Sequence, residues 1–199
     1  MKIHDLHLEL LSKYGKQEWW PAKSKSKEDR RFEVIAGAVL TQATNWKNVE
    51  HALENLRSEK ILNLRKFVGT PLPKIEKLVR PSGFYKQKAG RLLNLSKHLS
   101  KYNNLERFFS RPAEDIRKEL LELNGIGKET ADSILLYAGD KLIFPVDAYT
   151  YRIFRKKRWI EKFDYERIRE LVEDQLPKDV EVYKEFHALL VQLGKDGDY

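Results

Sequence analysis

The stretch "LNGIGKETADSILLYAGDKLIFPVDAYTYR", residues 123–152, decides how the rest of the chain is read. Ile116, Leu120 and Leu121 close one apolar helical face ahead of it, "NGIG" turns the chain, and Ala131, Ile134, Leu135 and Ala138 carry the face of a second helix. The pattern predicts a helix–hairpin–helix. Gly125 and Gly127 remove Cβ atoms at the turn and leave backbone N–H groups bare at a helix N-terminus, where an anion such as a phosphate is favoured. Lys128 and Thr130 beside them suit the same ligand. Taken alone, Gly-x-Gly also serves a helix–loop–helix that uses glycine only to turn. Asp147, twenty residues after Gly127, would likewise serve simply as the cap of a helix beginning at Ala148.

Composition points the same way as the hairpin. The chain has 199 residues, 41% of them hydrophobic, and can bury a real core. Its 38 Lys plus Arg against 30 Asp plus Glu give a net charge of +8 and a pI of about 9.4, which favours a polyanionic partner such as nucleic acid. The absence of cysteine excludes disulfides, thiol nucleophiles and cysteine-ligated zinc or iron–sulfur centres. No apolar run is long enough to span a bilayer, and "MKIHDLHLELL" at the start is broken by charge, so an intracellular, cytoplasmic location is expected. The five histidines show no metal-ligand spacing, and His187, on an apolar helix, reads as a core residue satisfied by its neighbours.

Helical spacing recurs almost throughout, with no bounded run of period-2 alternation, so the fold class expected is all-α. Ile3, Leu6, Leu10, Leu11 and Tyr14 mark a first helix; "GKQEWWPAKSKSKEDR" (15–30) reads as a loop; "FEVIAGAVLTQ" (32–42) reads as a central helix whose Ala36, Gly37 and Ala38 allow close packing. Thr44 offers an N-cap to the helix after it. "LPKIEKLVRPSG" (72–83) is a short helix stopped by Pro81 and Gly83, and amphipathic helices follow from near Phe84, from Pro112, and over 164–176 and 182–194.

Together these segments resemble the endonuclease III superfamily of helix–hairpin–helix DNA glycosylases. "LNGIGKETA" matches its hairpin and "PVDAY" its catalytic aspartate. "GAVLTQATNW", "RPSGFYKQKAGRLLNLS", "GIGKETADSILLY" and the Trp-Trp-Pro at 19–21 are most similar to the bacterial 3-methyladenine DNA glycosylases of that superfamily. The resemblance implies two helical lobes around an interlobe cleft: a bundle over 27–134 ending in the hairpin, and a lobe made of 1–26 plus 135–199. It implies excision of alkylated purines, chiefly 3-methyladenine, from double-stranded DNA by a monomer associated with the nucleoid, with Asp147 as the catalytic aspartate. Trp19, Trp20, Pro21 and Trp46 would form opposite walls of the base pocket, with Glu129 and Lys195 at its side. Gln42 would fill the gap left by a flipped nucleotide, Phe84 would wedge beside it, and Gly125, Ile126, Gly127, Lys128 and Thr130 would contact the DNA backbone. Glu129 stands where bifunctional relatives carry an imine-forming lysine, which implies hydrolysis without strand cleavage. Without cysteine no iron–sulfur cluster can form, and the resemblance leaves room for a monovalent cation at the hairpin. The alternatives are a glycosylase with lyase activity on oxidised pyrimidines, and a non-catalytic DNA-binding module.

Overall fold

The computed structural model describes residues 2–197, and no strand occurs among them. Twelve α-helices are present among the described residues: α1 (Lys2–Tyr14), α2 (Lys27–Leu40), α3 (Trp46–Ser58), α4 (Leu64–Val68), α5 (Leu72–Val79), α6 (Tyr85–Ser100), α7 (Leu105–Phe109), α8 (Ala113–Leu121), α9 (Lys128–Tyr137), α10 (Ala148–Lys156), α11 (Tyr165–Glu173) and α12 (Val180–Asp196). The all-α expectation holds. Helix α2 packs on α3, α6, α7 and α9, while α12 gathers α1, α9 and α10. Helix α9 therefore touches both groups and places the hairpin at their junction.

The apolar spacing that marks each helix becomes its buried face. In α2 every residue from Arg31 to Leu40 is buried, which requires the small side chains of Ala36, Gly37 and Ala38. That helix begins at Lys27, inside the stretch read as loop. Ser26 accepts a hydrogen bond from Asp29 N at 3.0 Å, and Glu28 and Asp29 occupy the first turn, so a cap and the helix dipole start it earlier than the apolar pattern does. Asn45, not Thr44, caps α3 through Asn48 N; Thr44 instead accepts from the Asn48 side chain. Helices α4 and α7, five residues each, are too short to show a period.

A buried lysine joins two parts of the fold that flank the site. Lys88 donates from Nζ to Leu40 O (2.8 Å), at the end of α2, and to Ser82 O (2.5 Å), ahead of the turn at Gly83 and Phe84. Burial, and then the nearby Arg91, lower its pKa to about 8. Phe84 is held in the left-handed conformation (φ 43°) at the start of α6 and is 66% exposed.

Candidate active site

The hairpin is built from contacts distant in sequence. Gly125 has φ +84°, and a Cβ there would lie 2.2 Å from Arg91 Nε, so a side chain is excluded by conformation and by space alike. Gln42 anchors the turn: its Nε2 donates to Gly125 O and Thr130 Oγ1, both at 3.0 Å, and its Oε1 accepts from Arg91 at 2.8 Å. Both Nε2 hydrogens are engaged, so in this arrangement Gln42 holds the hairpin while lining the cavity. Ile126 is buried and pins the turn to the core, so its side chain is not a DNA contact. Thr130 is buried beneath Gln42. Lys128 pairs with Glu166 at 2.9 Å and lies over the Tyr165 ring. Gly127, by contrast, caps α9 without a side chain, and a Cβ there would meet nothing within 4 Å. The first N–H groups of α9 lack intrahelical acceptors, as at any helix start, which is where an anion is favoured. Leu123 O accepts from Ile126 N and Gly125 O from Gln42 Nε2, which closes the turn from inside and from α2.

A cavity of about 600 Å³ lies where the α2–α3 turn, the start of α9, the start of α10, the last turns of α12 and the loop at 17–20 meet. Trp19, Trp20, Gln42, Trp46, Glu129, Thr130, Asp147 and Lys195 all line it. Pro21 is exposed and takes no part in its wall. A larger cavity of about 840 Å³ lies across Trp19 and Trp20 but has no share of Asp147.

Asp147 is both cap and pocket residue. Its Oδ1 accepts from Thr150 N (2.7 Å) and Thr150 Oγ1 (2.8 Å), which fixes the side chain at the start of α10. Its Oδ2 makes no such bond and lies 3.8 Å from His187 Nε2, with the side chain 12% exposed. Taken alone the residue reads as a cap, and the structure commits one oxygen to that role and leaves the other without a hydrogen bond. Glu129 stands at the cavity mouth, and crowding by the protein, followed by the charge of Asp147, raises its carboxyl to about 7. Because this folded-state value lies above the ordinary 4.5, stability is fully present below about pH 4.5 and is lost as pH rises through about 7. Glu129→Gln is therefore expected to raise the Tm at pH 8 by about 2–4 °C, after allowance for solvent at the mouth, and to leave it unchanged at pH 4. Thermal melts of the two proteins at both pH values check this.

The three indoles are arranged differently from two facing walls. Trp19 and Trp46 meet at 4.6 Å between ring centroids, Trp20 and Trp46 at 5.3 Å, all edge-on, and Trp20 also meets Tyr137 at 5.2 Å. Edge-to-face packing is the arrangement ring quadrupoles favour, and it leaves no gap for a base between Trp19 and Trp46. The rings form one continuous aromatic surface on the cavity. Trp20 also explains Gly37: a Cβ at that position would sit 2.8 Å from the indole. Gly37→Ala is expected to displace Trp20, cost about 1–3 kcal/mol and shift the tryptophan fluorescence, measured by melts and emission spectra.

Two further residues, His187 in the cavity lining and Asp132 in the packing behind it, were not apparent from sequence. His187 is buried on α12 but is not satisfied, since Nε2 has no hydrogen-bond partner among the described residues. Asp132, fully buried in α9, accepts from Arg117 Nε (2.6 Å), Arg117 Nη2 (3.1 Å) and Tyr165 hydroxyl (2.8 Å), while the Tyr165 oxygen accepts from Val146 N (3.2 Å). This network ties the hairpin helix to the residue just before Asp147.

Residues 36–178 match the family described as HhH-GPD superfamily base excision DNA repair protein. The "Putative DNA repair glycosylase" of Methanocaldococcus jannaschii is 47% identical over 194 residues, covering 96% of this chain and 86% of its own length. Endonuclease III of Thermotoga maritima is 28% identical over 169 residues, covering 85% and 75%. Among solved structures, H. pylori 3-methyladenine DNA glycosylase bound to 1,N6-ethenoadenine superposes with a TM-score of 0.82 at 35% identity, over 98% of this chain and 96% of that one. An endonuclease III–DNA complex superposes at 0.78 with 21% identity, over 98% and 85%, and so shares the fold. With the hairpin, the carboxylate at the head of the following helix and the cavity between them in place, the chain belongs to the HhH-GPD superfamily of base excision DNA repair proteins, as a DNA glycosylase.

Proposed function

We propose that this glycosylase is monofunctional and hydrolyses the bond between deoxyribose and alkylated purines, chiefly 3-methyladenine, in double-stranded DNA, leaving an abasic site. The observation that carries the reading is the divided carboxylate of Asp147: one oxygen is fixed by Thr150 and the other faces a cavity surfaced by three indoles. The 35% identity to an H. pylori protein named as a 3-methyladenine DNA glycosylase supports the choice of substrate.

Methylation at N3 of adenine places a positive charge on the base, which weakens the glycosidic bond and lets the base leave neutral without a strong general acid. The work left to the protein is recognition and stabilisation of the sugar. Electron-rich indole faces attract a cationic base by about 0.5–2 kcal/mol per contact. Asp147 offsets positive charge developing at C1′ and accepts a proton from the attacking water. Flipping the nucleotide into the cavity costs a few kcal/mol, less for a damaged base. The N–H groups at Gly127 hold a backbone phosphate while exposed Phe84 wedges into the stack.

The monofunctional reading is supported at the hairpin, while Lys195 also lines the cavity and is the amine a trapping experiment would report on. Glu129 occupies the hairpin position that faces the cavity and cannot form an imine, while Lys128 is turned to Glu166 and does not line the cavity. Borohydride added during turnover of methylated DNA is expected to trap no protein–DNA adduct. A covalent adduct formed in step with base release would overturn the monofunctional assignment.

A further inference from the structure

Asp147 has one oxygen anchored and one without a hydrogen bond, and the unpartnered nitrogen of His187 lies 3.8 Å from the second. The other ring nitrogen, Nδ1, shares a 2.8 Å hydrogen bond with the Tyr137 hydroxyl. Burial holds the phenol pKa well above its ordinary value, so Tyr137 keeps its proton and can donate it. That single proton has two acceptors within reach, Nδ1 at 2.8 Å and Lys184 O at 3.2 Å. If it goes to Nδ1, Nε2 of a neutral imidazole must carry the ring proton, and it then faces a carboxylate oxygen. If it goes to Lys184, a bare Nε2 lone pair faces that oxygen instead, which is repulsive. The shorter contact and the charge of Asp147 select the first arrangement.

We propose that Tyr137, His187 and Asp147 form a hydrogen-bond relay in which neutral His187 donates Nε2–H to Asp147 Oδ2 and orients the carboxylate for reaction. The 3.8 Å separation is too long for a hydrogen bond, and the relay requires it to shorten when substrate binds, as catalytic contacts do. Oδ1 is then fixed by Thr150 and Oδ2 by His187, and the remaining lone pair of Oδ2 is aimed into the cavity. Burial lowers the His187 pKa against the raising pull of Asp147, so the ring orients the acid without neutralising it. An imidazolium there would cancel the charge needed at C1′. In the reaction the water oxygen bonds to C1′, the C1′–N bond breaks with its electron pair leaving on the base, and the water proton passes to Asp147. His187 acts through Asp147 and is a positioning residue.

The inference rests on Asp147 being the reacting acid, and the test separates the two. Single-turnover base release from methylated duplex DNA, binding to DNA holding a tetrahydrofuran abasic analogue, and the Tm are measured for five proteins: wild type, Asp147→Asn, His187→Gln, His187→Leu and Tyr137→Phe. A glutamine amide reaches the place of Nε2, so His187→Gln is expected within about 3-fold of wild type. His187→Leu is expected to lose about 10- to 100-fold in rate, the range of a hydrogen bond to a charged group, with binding unchanged. Tyr137→Phe keeps the ring, removes what sets the tautomer, and is expected to lose about 5-fold or more by the same bond. A purely structural role predicts equal losses for Gln and Leu, and that result overturns the relay. So does a wild-type rate for Tyr137→Phe, which decides the matter if His187→Leu does not fold. If Asp147→Asn itself keeps the wild-type rate, the catalytic assignment fails and the relay with it; if only the His187 and Tyr137 variants keep it, the relay alone fails.

Discussion

Asp147→Asn is expected to lower the single-turnover rate of base release by about 10³-fold or more while leaving the fold and its stability in place. The stability half follows from the cap: asparagine is as good an N-cap as aspartate, and its Oδ1 can still accept from Thr150 N and Oγ1. The rate half follows from the charge. Removing one preorganised electrostatic contact costs about 10²–10³ in rate, and removing a proton acceptor about 10²–10⁴, and this substitution does both. Affinity for undamaged and abasic DNA is expected to hold or rise, because a negative charge is lost near a polyanion. Rapid-quench base release beside a binding titration measures both. A variant within about 10-fold of wild type in rate would remove Asp147 from the chemistry, and a non-catalytic DNA-binding module predicts no change at all.

Asp132→Leu is expected to be the most destabilising single substitution proposed. Asp132 is fully buried and accepts three hydrogen bonds from Arg117 and Tyr165. Without it Arg117 keeps only Glu166, at 2.9 Å, while remaining buried. Breaking a buried pair by removing one partner costs about 3–5 kcal/mol, which in a chain of this size lowers the Tm by roughly 10 °C. The damage is not confined to the hairpin helix, because Tyr165 also receives Val146 N, the neighbour of Asp147. A rate loss measured well below the Tm is therefore expected as well. A Tm within about 2 °C of wild type would show that the network does not hold the two elements together.

The parts legible in the sequence are those whose signal is local. Gly125 marks the hairpin because its positive φ and the Arg91 side chain against it favour glycine, and the long amphipathic helices announce themselves by period. Asp147 stands out by position, and the structure brings it into one cavity with Trp19, Trp20, Trp46, Glu129 and Lys195. What stays hidden depends on partners far along the chain. Gln42 looks like a helix-end polar residue until Gly125 and Arg91, 83 and 49 residues away, engage its amide. His187 looks like a core residue because its helix face is apolar; its meaning comes from Tyr137 and Asp147 on other elements. Asp132, a polar residue in a helix that could face solvent, becomes a buried anchor only once Arg117 and Tyr165 close on it. The indoles illustrate a third kind of limit: the resemblance implies opposite walls of a pocket, and the structure packs the rings on one another edge-on along one cavity.

The identity of the bases set free tests the account most directly. Duplex DNA treated with a methylating agent is incubated with the wild-type protein, and the released bases are separated by chromatography and identified by mass. 3-Methyladenine is expected as the main product, released from duplexes whose strands stay uncut. Release of only oxidised pyrimidines or uracil from suitably damaged DNA, with methylated purines left in place, would contradict it.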